Sequence, residues 1–214
     1  MKYEAVLFDM DGTVLDTLGD LADAVNHTLE VFGMPSRTLQ EVKGFVGNGI
    51  ARLIELSAAP GTSPELCREM LSYYKAYYDA HCNIKTRPYD GIVELMHTLN
   101  ERGVKTAIVS NKPDSAVGEL VRAYFAGLIG TAVGERAGVR RKPAPDMVLA
   151  ALSSLGADKS RTVYIGDTEV DAATARNAGM DCIGVSWGFR DRSVLEALDF
   201  TVIVDSADEL GSAL

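Results

Sequence analysis

A chain of 214 residues, 47 % hydrophobic and 24 % charged, is long enough for one large globular domain or a domain with a sizeable insertion, and its composition excludes disordered and fibrous classes. The net charge of −9 argues against a nucleic-acid or anionic-membrane surface; it would also repel an anionic substrate at long range, so an anion site has to be made locally, by a metal ion, a lysine and backbone N–H groups. The cysteines Cys67, Cys82 and Cys182 are odd in number and lack Cys-x-x-Cys spacing, there is no signal-peptide pattern, and no apolar run reaches membrane-spanning length; disulfides and zinc are not expected, and a cytoplasmic location is.

Ala5-Val6-Leu7-Phe8 reads as a buried strand that ends in two carboxylates, Asp9 and Asp11, before Gly12 releases the chain into a turn. Residues two apart in an extended chain point the same way, so Asp9 and Asp11 are expected to project together from the strand end. In open α/β sheets that end is where ligands bind. Two acids held close repel unless a cation or a proton separates them. The pair therefore suits a metal-assisted reaction with one Asp as nucleophile and the other as proton carrier. The plain alternative is a strand followed by an acidic turn.

Helical periodicity follows over 17–32, with Leu18, Leu21, Val25, Leu29 and Phe32 on one face and Gly33 as the stop. Thr38 and Glu41 form a capping-box pattern that starts a short helix, broken by Gly47-Asn48-Gly49. Ile50, Leu53, Ile54 and Leu56 carry a further helical stripe. Ser63-Pro64-Glu65 is a strong start signal for a helix running to about residue 81. Residues 16–84 thus read as all-helical. Beyond residue 87 strands alternate with helices: strands at 106–109, 128–133, 162–165, 182–185 and 200–204, with a loop at 111–113 and a helix begun by the capping pattern of Ser193 and Glu196. This alternation means βαβ units and a mostly parallel sheet. The expected fold class is α/β: a Rossmann-like parallel-sheet core made of residues 1–15 and 85–214, with an inserted α-helical cap over 16–84.

Four stretches fall at strand ends: Asp9 to Thr13, Ser110-Asn111, Lys142-Pro143, and Gly166-Asp167 with Asp171. Their order and spacing resemble the four signature motifs of the haloacid dehalogenase-like hydrolase superfamily, and the helical insertion resembles that superfamily's small helical cap. Within it, the chain is most similar to the phosphoglycolate phosphatases, through Asp20-Leu21-Ala22-Asp23-Ala24-Val25-Asn26, Gly47-Asn48-Gly49, Ser110-Asn111-Lys112-Pro113, Lys142-Pro143-Ala144-Pro145 and Trp187-Gly188-Phe189. The resemblance implies hydrolysis of a small phosphate monoester, 2-phosphoglycolate foremost, with Mg²⁺ as cofactor. It implies Asp9 as nucleophile, Asp11 as general acid and base, and Ser110 and Lys142 on the transferring phosphoryl oxygens. Asp9, Asp167 and the backbone carbonyl of Asp11 would hold the metal, and Asp171 would act one layer behind them or ligate it directly. Thr13, Asn111, Gly47, Asn48 and Gly49 would contact substrate, with Arg52 one turn further on.

Asp11 speaks against a dehalogenating relative, which has no alkoxide to protonate. A pyrophosphatase, a nucleotide phosphatase or a phosphosugar mutase on the same scaffold stays open, as do a receiver-like phospho-acceptor and an inactive binding protein. The expected partner is a small phosphorylated metabolite, with no nucleic acid or membrane, and the chain is expected to be a monomer or a homodimer. Tyr73, Tyr74, Tyr77 and Tyr78 fit helix packing better than recognition, the scattered His27, His81 and His97 suggest no metal site, and Arg140 and Arg141 read as solvated.

Overall fold

In a computed structural model of the chain, residues 2–214 are described. They form two compact units, one of residues up to Asp16 with Pro88–Leu214, the other Thr17–Arg87. The first is built on a six-stranded sheet. Its strands are β1 (Ala5–Phe8), β4 (Lys105–Pro113), β5 (Thr131–Glu135), β6 (Thr162–Gly166), β7 (Asp181–Val185) and β8 (Val202–Val204), in the order β5-β4-β1-β6-β7-β8. Every neighbouring pair is parallel. The chain builds outward from β1 through β4 to β5, then returns to β6 on the other flank. The carboxyl ends of β1, β4 and β6 thus meet at the point where strand order reverses, the usual ligand crevice of such sheets.

Strand alternation divides the core into two layers. Val6 and Phe8, with Ile108, Val163, Ile165 and Ile183, pack under α5 (Ile92–Glu101), α6 (Asp114–Tyr124) and α10 (Ala207–Ala213). Ala5 and Leu7, with Ala107, Val109, Tyr164 and Cys182, pack under α7 (Asp146–Leu155) and α8 (Glu169–Ala178). Because both faces are covered, β1 is apolar at every position rather than at alternate ones. This is the α/β, Rossmann-like class.

The second unit is helical: α1 (Leu18–Val31), α2 (Leu39–Phe45), α3 (Gly49–Ser57) and α4 (Pro64–His81). Thr38 and Glu41 close their capping box at α2, and the Ser63 hydroxyl accepts from Leu66 N–H at the start of α4. Leu21, Val25, Leu29, Leu53, Ile54 and Met70 are buried together with Tyr74 and Tyr78, whose rings stack at 5.5 Å. Tyr73 and Tyr77 are half-buried against His27, the Tyr73 hydroxyl lying 2.9 Å from His27 Nε2. No helix among the described residues is long and apolar enough to cross a membrane. Cys67, Cys82 and Cys182 are free thiols.

Several sequence expectations shift. Residues 111–113 are extended and belong to β4, where a register irregularity between Val109 and Pro113 lets the strand run on to pair Pro113 with Glu135. Helix α8 begins at Glu169, where Thr168 and Asp171 form a capping box made of polar residues. The Ser193–Glu196 capping pattern is not used: α9 (Arg192–Leu195) is a single turn behind Asp191, and Glu196 pairs with Arg192 instead. Helix α10 has no periodic signal in the sequence, because Leu210 is the one large apolar side chain among its seven residues. The units divide at 16/17 and 87/88, rather than at 15/16 and 84/85. Strands β2 (Leu15–Asp16) and β3 (Arg87–Pro88) pair there, and a ladder holds its residues beyond the point where helical periodicity stops.

Candidate active site

Asp9 is the first residue past β1, and its N–H donates to the Ile165 carbonyl of β6, which extends the ladder by one step. Its carboxylate is buried. Lys142 Nζ lies 2.8 Å from Asp9 Oδ1, and Met10 N–H donates to the same oxygen at 2.7 Å. Oδ2 accepts no hydrogen bond among the described residues, so the two oxygens are chemically distinct. Burial first, and then the Asp171 charge, push the Asp9 carboxyl well above the usual carboxylate range, with Lys142 pulling the other way.

An ammonium has three N–H donors, and Lys142 spends all three: on Asp9 Oδ1, on Asp171 Oδ1 at 2.8 Å and on the Tyr164 hydroxyl at 3.0 Å. Burial disfavours its charge, but Asp171 and Asp9 outweigh that and hold Lys142 well above the ordinary lysine value. The Asn111 side chain clamps the same residue through its backbone. Its Oδ1 accepts from Lys142 N–H at 2.8 Å and its Nδ2 donates to the Lys142 carbonyl at 3.0 Å. Asn111, expected to touch substrate, is instead buried with both ends of its amide on Lys142.

Asp11 does not follow Asp9, because regular extension ends at Phe8 and the chain turns at once. Its carboxylate is held from β4. Lys112 Nζ sits 2.9 Å from Oδ1, and the Ser110 hydroxyl donates to Oδ2 at 3.3 Å. Ser110 and Lys112 are two residues apart on an extended strand and so share a direction. Lys112 is 3 % exposed, a second buried ammonium in the site.

Asp167 follows β6 and is fully buried. The Thr13 hydroxyl donates to its Oδ1 at 2.9 Å and Phe189 N–H to its Oδ2 at 2.7 Å. Burial first, then the neighbouring Asp171, push the Asp167 carboxyl up to about 7. Thr13, also expected at the substrate, has no exposed surface, and its hydroxyl is committed to Asp167. Gly12 has to be glycine for two reasons: its φ is +84°, and a Cβ there would overlap the Asp167 carboxylate. Asp171 divides its oxygens. Oδ1 takes Lys142 and Tyr164, and Oδ2 takes the Thr168 hydroxyl and N–H.

Asp9, Asp167 and Asp171 can each offer a carboxylate oxygen within 4.8 Å of the others. Of these three buried carboxylates, Asp9 and Asp171 share the Lys142 ammonium, while Asp167 is held by the neutral donors of Thr13 and Phe189. Their donor set, hard oxygens only and with excess negative charge, fits Mg²⁺. Each Asp171 oxygen already accepts at least two protein donors, whereas each Asp167 oxygen accepts one and Asp9 Oδ2 none among the described residues, so Asp9 and Asp167 are the better placed ligands.

The family model for haloacid dehalogenase-like hydrolases matches residues 6–185. The chain belongs to the haloacid dehalogenase-like hydrolases. It is 31 % identical to the phosphoglycolate phosphatase of Thiobacillus denitrificans, over 98 % of this chain and 94 % of that one. It is 34 % identical to the N-acetylmuramic acid 6-phosphate phosphatase of Pseudomonas aeruginosa, over 88 % and 84 %. A crystal structure of a candidate phosphoglycolate phosphatase from Lactobacillus delbrueckii subsp. bulgaricus superposes with a TM-score of 0.94 at 41 % identity, covering 100 % of this chain and 98 % of that one. This member of the family is an enzyme, a phosphoric monoester hydrolase, phosphoglycolate phosphatase-like in sequence.

Three functional candidates in this hydrolase escaped the sequence reading: Lys112, Tyr164 and Phe189. Lys112 falls in the 111–113 stretch, whose composition predicts a loop. Tyr164 looked like one more apolar strand residue. Phe189 acts through its backbone N–H, which no side-chain pattern announces. Gly47 and Asn48 lie in the helical unit between α2 and α3, and Gly49 is the first residue of α3. There Gly47 and Gly49 have φ of +125° and +78°, a backbone turn that favours glycine.

Proposed function

We propose that this haloacid dehalogenase-like hydrolase acts in the cytoplasm on a small phosphorylated metabolite, 2-phosphoglycolate foremost, in a Mg²⁺-dependent reaction through an aspartyl-phosphate on Asp9. The observation that carries the reading is the buried Asp9 carboxylate with one oxygen tied to Lys142 and Met10 N–H and the other without a hydrogen bond among the described residues. Asp9 and Asp167, with the backbone carbonyl of Asp11, would hold Mg²⁺ and Asp171 would support them. The ion would supply positive charge to the phosphoryl oxygens.

Asp9 Oδ2 attacks phosphorus, the bond from phosphorus to the ester oxygen breaks, and Asp11 gives that alkoxide its proton. Asp11 then takes a proton from water, whose oxygen attacks phosphorus, and phosphate leaves with Asp9 regenerated. Ser110 and nearby backbone N–H groups would bind the equatorial oxygens, and Lys142 would offset the charge that collects there. Residues 17–87 would act as a cap that opens and closes on hinges at β2 and β3. Gly47, Asn48 and Gly49 would present N–H groups and an amide to the leaving group.

The 34 % identical relative supports a second reading, N-acetylmuramic acid 6-phosphate as substrate. Phosphate release measured on both esters, and on pyrophosphate, nucleoside monophosphates and β-glucose-1-phosphate, with and without Mg²⁺, separates the cases. A Mg²⁺-dependent preference for 2-phosphoglycolate is expected. Preference for another ester would replace the substrate and leave the Asp9 chemistry standing. Asp9→Asn should abolish turnover; full activity in that variant, free of contaminating phosphatase, would remove Asp9 as nucleophile.

A further inference from the structure

The loop 187–189, which follows β7, has no part in the chemistry above, yet it is built against Asp167. Gly188 passes so close that a Cβ would overlap both the Asp167 carboxylate and the Gly12 carbonyl. Its φ is not positive, so space rather than backbone conformation demands glycine there. Gly12 presses on Asp167 as well, with the same overlap. Between the two glycines each carboxylate oxygen meets one donor, Thr13 Oγ1 on Oδ1 and Phe189 N–H on Oδ2. The Trp187 indole N–H donates to the Thr13 carbonyl at 3.0 Å and closes a ring of contacts from the β7 loop to the β1 loop and back through Asp167.

We propose that Thr13 and the 187–189 loop are positioning residues that lock the Asp167 carboxylate and so set the affinity of the metal site. This rests on the reading of Asp167 as a metal ligand. A carboxylate oxygen has two lone pairs. With one on each oxygen anchored and rotation blocked by the flanking glycines, the other is pre-aimed for a cation. Supporting contacts of this kind typically change metal affinity by about ten- to a hundredfold.

The test is Mn²⁺ binding, followed by the electron paramagnetic resonance of the free ion, in Thr13→Val, Gly188→Ala and Asp167→Asn. Mg²⁺ binding is followed in parallel by the fluorescence of Trp187, the single tryptophan. Thr13→Val and Gly188→Ala should weaken Mn²⁺ binding by roughly ten- to a hundredfold. Melting in chelator should change far less, and activity should recover in part at high metal concentration. Should Gly188→Ala fail to fold, Thr13→Val decides alone, since it removes one hydroxyl and keeps the shape. If Asp167→Asn loses Mn²⁺ binding while Thr13→Val and Gly188→Ala bind as the parent does, the positioning role is overturned and the ligand role survives. If Asp167→Asn also binds as the parent does, both fall.

Discussion

Lys112 and Ser110 hold the two oxygens of Asp11 from a single strand, and in the proposed reading, where Asp11 is the proton carrier, that contact bears on proton transfer. A general acid that must reach a leaving oxygen needs a fixed carboxylate, and hydrogen bonds from charged donors fix it best. Lys112→Met keeps most of the buried stem and removes the ammonium. A charged hydrogen bond is worth about 1.5–3 kcal/mol, so kcat should fall roughly ten- to a hundredfold with a smaller change in KM. Steady-state kinetics on the best ester checks this, and an unchanged kcat would remove Lys112 from the reaction. Lys142 illustrates the same principle with its three donors spent. The third goes to the neutral Tyr164 hydroxyl, which passes its own proton on to the Val109 carbonyl or Asp171, so the tether adds no further charge.

At the scale of elements, the helical unit is tied by one carboxylate. Asp20, near the start of α1, accepts the N–H groups of Ile84, Lys85 and Thr86 and the Thr86 hydroxyl, the last at 2.7 Å. Burial alone would raise its pKa, but the bonds from Thr86, Lys85 and Ile84 outweigh it and hold the carboxyl below its ordinary value. A depressed carboxylate contributes stability above its unfolded pKa of about 3.9 and loses it as pH falls through the folded value. Asp20→Asn should therefore cost about 1.5–3 kcal/mol near pH 7, and the gap between variant and parent should close below about pH 4. Urea unfolding at a series of pH values measures the gap; a difference that stays constant into acid would show that the charge is not what binds the segment. Strand β4 is the other instructive element. Its irregularity after Val109 keeps residues 110–112 extended, so Ser110 and Lys112 face Asp11 while Asn111 reaches Lys142.

For the whole molecule, a net charge of −9 opposes the approach of a phosphate ester, whereas two buried ammonium groups in the core unit attract it once close. Repulsion acts over a Debye length of about 30 Å at 0.01 M salt and about 8 Å at 0.15 M. kcat/KM should therefore rise with added salt over that range. A fall would show that the local cations dominate the approach as well. Selectivity belongs to the helical unit in the proposed reading. Asn48→Ala should then narrow the preference for 2-phosphoglycolate over p-nitrophenyl phosphate while p-nitrophenyl phosphate turnover holds; equal losses on both would move Asn48 from recognition to folding.

Hydrophobic periodicity and turn residues alone settled the α/β class and most element centres, because burial on two sheet faces leaves uninterrupted apolar strands and helix ends leave glycines and caps. The paired acids at a strand end suited a metal-assisted reaction with an Asp nucleophile, and the resemblance of the four motifs to the haloacid dehalogenase-like hydrolases implied that the reaction is phosphoryl transfer. Only the tertiary structure decided which groups meet. Asp9 and Asp11 part company onto different lysines because the strand ends at Phe8 and the chain turns directly after it. Thr13 and Asn111, expected at the substrate, are buried with the Thr13 hydroxyl on Asp167 and the Asn111 amide on the Lys142 backbone, contacts between residues far apart in sequence. Contacts made by backbone N–H groups, such as Phe189 on Asp167, and by residues distant in sequence, such as Tyr164 on Lys142, exist only once the sheet has brought its strand ends together.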